Sequence, residues 1–128
     1  MCMILIVGGA YQGKLDYALD NYPGYGLSIY NCDERQPEVE SSAAIINDLH
    51  LAILAQIGQD IDTLAYLQKK LPEWQDKIII CDDISCGVVP LEASTRAWRE
   101  ATGRALTLLS KHADQVIRVF CGIGSRIK

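Results

Sequence analysis

The sequence predicts an α/β protein: a mostly parallel sheet with helices on both faces, in three layers. Three observations predict it. The runs Met3–Val7 and Ile78–Cys81 are apolar without polar alternation, as in strands covered on both faces. The first run breaks into glycines that open onto a helix-forming segment. Strand-like and helix-like stretches then alternate along 128 residues, the order expected when a ligand sits at the strands' C-terminal ends.

The first element carries the chemistry. Gly8, Gly9, Ala10, Tyr11, Gln12, Gly13 and Lys14 match G-x-x-x-x-G-K, a phosphate loop. In such a loop successive backbone N–H groups face a phosphate and the lysine ammonium reaches the terminal phosphates. Glycine suits the backbone's turn to positive φ and its close approach to the anion. The helix that follows presents the positive end of its dipole. These residues therefore predict a P-loop NTPase-like fold, one nucleotide-binding domain over residues 1–128, and a nucleoside triphosphate as ligand. Leu15 departs from the pattern, because the position after the lysine usually carries a hydroxyl that ligates magnesium. A leucine cannot do so, which leaves any Mg2+ arriving with ATP or GTP to carboxylates elsewhere.

Asn21 to Gly24 reads as a turn, Tyr25–Tyr30 as a second strand, and Asn31–Ser42 as an exposed polar loop. Ile46, Leu49, Ile53 and Ile57 fall at helical spacing, which favours a helix over 42–57 capped by Ser41 or Ser42. Ala43–Ile46 can also be read as a short strand ending at Asn47 and Asp48. Asp60–Leu71 is a further amphipathic helix closed by Pro72.

Lys77–Asp83 is a core strand that ends on two carboxylates. An acidic strand end beside a phosphate loop holds the magnesium shell or orients the attacking group. Asp82 and Asp83 are thus candidate metal ligands and, with Lys14, candidate catalytic residues. The alternative is a turn cap. Ile84–Pro90 is an irregular link, Leu91–Lys111 a long helix, Val116–Cys121 the last strand, and Gly122–Lys128 a tail. His50 and His112 lack motif partners and read as surface or interface side chains.

Composition excludes several classes. Hydrophobic residues make up 49% and charged ones 22%, ordinary for a globular chain. No apolar run approaches the about 20 residues that cross a bilayer, and the short apolar start lacks the form of a secretory signal, so the expected location is the cytoplasm. A net charge of −4 argues against coating nucleic acid. Residues 65–128 are modestly basic, with ten basic side chains against seven acidic, whereas residues 1–64 carry two against nine. The five cysteines are odd in number and show no C-x-x-C pair, which predicts reduced thiols with no disulfide frame or zinc site. Cys81 and Cys121 lie in apolar runs and read as buried small hydrophobes.

Ile78–Pro90 resembles the strand and "S-N-E-V-G-x-G-I-V-P" signature of the bifunctional adenosylcobinamide kinase and adenosylcobinamide-phosphate guanylyltransferase family. Arg96–Arg104 is similar to that family's "R-x-F-R-D-x-x-G-R" helix. Ala113–Val116 is similar to its "A-D-E-V" strand, and Gly122–Lys128 to its "G-I-P-x-x-I-K" tail. The resemblance implies transfer of a γ-phosphate to the aminopropanol hydroxyl of adenosylcobinamide in cobalamin synthesis, and a homotrimer. Asp82 and Asp83 stand where the family has asparagine and glutamate, and Leu15 where it has serine. Family members are longer between the first helix and the middle of the chain, where their guanylylated histidine lies. No histidine occurs here between Tyr22 and Asn47. The resemblance therefore implies a kinase without the guanylyltransferase step. The alternative is a catalytically degenerate nucleotide-binding or protein-interaction module, and a weaker one is a kinase for another small alcohol.

Overall fold

The computed structural model describes residues 2–25, 28–84 and 93–128. The link at 85–90, with most of the signature resembling the family's, and Leu91 at the expected helix start lie outside the described residues. The element order is β1 (Ile4–Gly8), α1 (Lys14–Asn21), β2 (Ile29–Asn31), β3 (Ile45–Asn47), α2 (Leu49–Gly58), α3 (Thr63–Lys70), β4 (Ile78–Asp82), α4 (Ala93–His112), β5 (Gln115–Phe120) and β6 (Ile123–Arg126). Short 3-10 turns follow α1 and α3.

The strands form one sheet in the order β2-β3-β4-β1-β5-β6. The first five are mutually parallel, and β6 returns antiparallel along β5. Isoleucine-rich strands suit the middle of such a sheet because branched side chains pack on both of its faces. Alternate residues serve two core layers. Ile4, Ile6, Ile78 and Ile80 pack with Ala18 of α1, whereas Leu5, Ile79 and Cys81 pack with Leu49 and Ile53 of α2, Leu67 of α3 and Leu109 of α4. Helices therefore cover both faces, as in a P-loop NTPase-like three-layer fold.

This arrangement positions the site. The chain leaves β1 by α1 on one face and leaves β4 by α4 on the other. The crevice between the C-terminal ends of these neighbouring strands is where open parallel sheets take their ligands, and there Gly8 pairs in register with Asp82.

Five expectations are corrected. The helix over 42–57 is a strand followed by a shorter helix, because Ile45 and Ile46 pair between β2 and β4 and Asp48 turns into the left-handed region with φ 59°. The helical spacing had another origin: Ile46, Leu49 and Ile53 all face one core layer, and Ile57 packs against it, although they come from two elements. The loop at 31–42 is pinned. Cys32 and Val39 are buried, Val39 N–H donates to Tyr66 Oη, Gln56 donates to the Pro37 carbonyl, and Trp74 Nε1 donates to Ser41 Oγ. The C-terminal tail is strand β6, and Cys121 is exposed in the two-residue turn before it. Cys121 and Gly122 both have positive φ, 50° and 77°, which the tightest hairpin turns require. The fifth correction concerns His50.

Candidate functional site at the phosphate loop

The loop runs from Gly8, the last residue of β1, to Lys14, the first of α1. Gly13 takes φ 82° and leads into the helix without a side-chain cap, a conformation that costs other residues about 1 kcal/mol or more. Tyr11 adopts φ 60° and is fully exposed. The C-terminal hairpin buttresses the loop: Cys121 N–H donates to Gln12 Oε1 at 2.7 Å and Gly122 N–H to the Gln12 carbonyl at 2.8 Å. At Gly8 a Cβ would lie 2.5 Å from the Val119 carbonyl oxygen, so the first glycine of the motif lets β1 and β5 close together.

A cleft of about 480 Å3 is lined by Ala10–Asp16 together with Asn47, Asp48, His50, Ile80 and Asp82. Lys14 is only 7% exposed. Its ammonium donates to the Gly9 carbonyl at 2.7 Å and lies 2.5 Å from Asp82 Oδ1. A buried lysine needs such partners, since desolvating an unpaired charge costs far more than a lost surface contact. Leu15 packs against the core layer beneath α1, so the residue that replaces the hydroxyl is an anchor for the helix.

Of the candidate residues, the structure brings Lys14 and Asp82 together with the loop from Ala10 to Leu15. Asp83 is not among the residues lining the cleft. Its backbone N–H donates to the Gly8 carbonyl at 2.8 Å, and the pleat of β4 turns successive side chains to opposite faces. The carboxylate that clusters with Asp82 and His50 in the cleft is Asp48. Sequence reading missed it because it stands at the end of a strand only three residues long.

His50, expected at the surface, is 6% exposed. It sits in the first turn of α2, where its Nδ1 accepts the Asp82 backbone N–H at 3.1 Å and its Nε2 lies 3.4 Å from Asp82 Oδ2. Desolvation lowers its pKa, and this outweighs the opposing pull of Asp82 and Asp48. His112 is exposed and borders a small cavity with Met3 and Asp114 at the N-terminal side of β1, away from the loop. A larger groove of about 560 Å3, bordered by Leu64 and Gln68 of α3 and by Arg104 and Leu108 of α4, contains none of the candidate site residues.

The donor set fits a magnesium-bound polyphosphate. Oxygen ligands suit the cation, and Asp48 and Asp82 supply carboxylates beside an anion-binding loop. Asp48, His50 and Asp82 bring one ligand atom each within 4.8 Å of one another. The Nδ1 of the imidazole is already taken by the Asp82 N–H and magnesium prefers oxygen, so the carboxylates are its ligands of choice.

Fold and loop together define the class, a P-loop NTPase-like α/β protein. Within that class, the cobinamide kinase / cobinamide phosphate guanyltransferase family matches residues 34–127, and the chain belongs to it. The match begins after the phosphate loop, which therefore stands on its own motif and geometry. No curated protein matches the chain. The family belongs to cobalamin biosynthesis and couples nucleotide to cobinamide. Among the described residues no helix is long and apolar enough to cross a membrane.

Proposed function

We propose that the chain binds ATP or GTP with magnesium through Gly8–Lys14 and phosphorylates adenosylcobinamide without performing the guanylyltransferase step. The observation that carries this reading is the buried Lys14, held at the mouth of the loop by the carboxylate that ends the neighbouring strand. Bound polyphosphate replaces Asp82 as the partner of the lysine, and Lys14 then stabilises charge on the transferring phosphoryl group. Asp82, released from the lysine, is placed with Asp48 to hold the cation or to orient the acceptor hydroxyl. The magnesium ion would neutralise charge on the β- and γ-phosphates.

Loss of the guanylyl step is supported by the two histidines. The imidazole of His50 is engaged on both nitrogens by Asp82, and His112 lies away from the loop. In this arrangement the Nδ1 lone pair of His50 is taken by the Asp82 N–H. The test is to incubate the protein with radiolabelled ATP or GTP, magnesium and adenosylcobinamide. Phosphorylated cobinamide without labelled protein supports the reading, and a GMP-labelled protein contradicts it.

Leu15 favours a second reading, a degenerate nucleotide-binding or interaction module. Leu15→Ser separates the two. A module gains metal-dependent affinity from the restored hydroxyl, whereas an enzyme that holds its cation through Asp82 and Asp48 gains little.

A further inference from the structure

His50 is a member of the cleft that neither the loop motif nor the strand-end carboxylates account for. Its ring reaches a single residue through both nitrogens. Because Nδ1 accepts the Asp82 backbone N–H at 3.1 Å, the proton of the neutral ring belongs on Nε2, which faces Asp82 Oδ2 at 3.4 Å. From behind, Trp98 of α4 donates Nε1–H to the His50 carbonyl at 2.8 Å, and the two rings lie with centroids 6.4 Å apart. The histidine is thereby fixed at its backbone and at its ring. Binding a metal through Nε2 would require the other tautomer, whose Nδ1–H would confront the Asp82 N–H.

The carboxylate of Asp82 consequently has two fixed neighbours, with Oδ1 toward Lys14 and Oδ2 toward the imidazole. We infer that His50 is a positioning residue that sets the orientation of the Asp82 carboxylate toward a magnesium–nucleotide. The inference rests on the phosphate-site reading above. When phosphate takes Lys14 away from Oδ1, Asp82 would otherwise be free to rotate. The 3.4 Å contact of Nε2–H with Oδ2 is what remains to hold one oxygen still and leave the other for the cation, as partners behind metal-binding carboxylates do.

Two measurements on the full chain test it. Long-range proton–nitrogen NMR of the nucleotide-free protein should show His50 as the neutral Nε2–H tautomer, and an Nδ1–H ring overturns the clamp. Calorimetric titration with ATP and GTP, with and without magnesium, is then compared for the native chain, His50→Leu and His50→Gln. The gain in affinity from magnesium should fall about 10-fold in His50→Leu, with metal-free affinity kept. His50→Gln, which can still donate toward Oδ2, should recover part of it. Equal losses with and without magnesium in both variants would reduce His50 to a packing residue and overturn the inference. If the native chain binds nucleotide and the variants match it, the inference fails alone. If the native chain binds none, the phosphate-site reading fails with it.

Discussion

Lys14 shows how much of the site one side chain organises. Its ammonium bridges the Gly9 carbonyl and Asp82 Oδ1, so a phosphate must compete with a carboxylate for it. Asp82→Asn should therefore leave metal-free nucleotide binding equal or stronger while abolishing the gain from magnesium, as read by titration calorimetry. Thiol chemistry gives a second check at this scale. Burial, helped by the charge of Asp48, pushes Cys32 up to about 12, and burial raises Cys81 further, whereas Cys121 is exposed. Since the thiolate is the reactive form, iodoacetamide at pH 8 should label Cys121 first and leave Cys32 and Cys81 unmodified in the native protein. Peptide mapping by mass spectrometry reads the order. The turn from β1 into α1 at Gly13 and Lys14 was legible because its motif is local in sequence. The burial of His50 was not, because its partner Asp82 lies 32 positions away, and nothing near a histidine reveals which strand end it will meet.

Among the elements, β1, β4 and β5 were legible from their branched apolar runs, β3 was read only as the alternative to a helix, and β6 was not read as a strand. β3 is three residues long and borrowed a helical spacing from the helix behind it. β6 has an exposed, weakly patterned sequence, and its turn uses Cys121 where asparagine or aspartate is the usual signal. That hairpin braces the phosphate loop, so the loop's shape depends on residues at the far end of the chain. Gly8→Ala tests the contact. A methyl group 2.5 Å from the Val119 carbonyl oxygen forces β1 and β5 apart and should destabilise the protein by about 1–3 kcal/mol in urea titration. Nucleotide affinity should fall with it.

For the whole molecule, the two core layers share one sheet, and the long-range contacts that join them run through β1, β4 and β5. We expect residues 1–128 to unfold as one unit, as small single domains usually do. Tryptophan fluorescence and far-UV circular dichroism should report coincident urea transitions. Trp74 is fully buried and tied to Ser41, and Trp74→Ala should cost about 3–5 kcal/mol while leaving the phosphate cleft intact. The homotrimer implied by the family resemblance is checked by sedimentation equilibrium.

The most direct test of the central claim is calorimetric titration of the protein with ATP and with GTP, with and without magnesium, beside Lys14→Ala. A working phosphate site predicts saturable binding that strengthens with magnesium and weakens about 10- to 100-fold in the variant, as expected for loss of a charge-assisted contact. Absence of binding under every condition, or binding unchanged in Lys14→Ala, would contradict the account and leave the phosphate loop as a structural turn in a family fold.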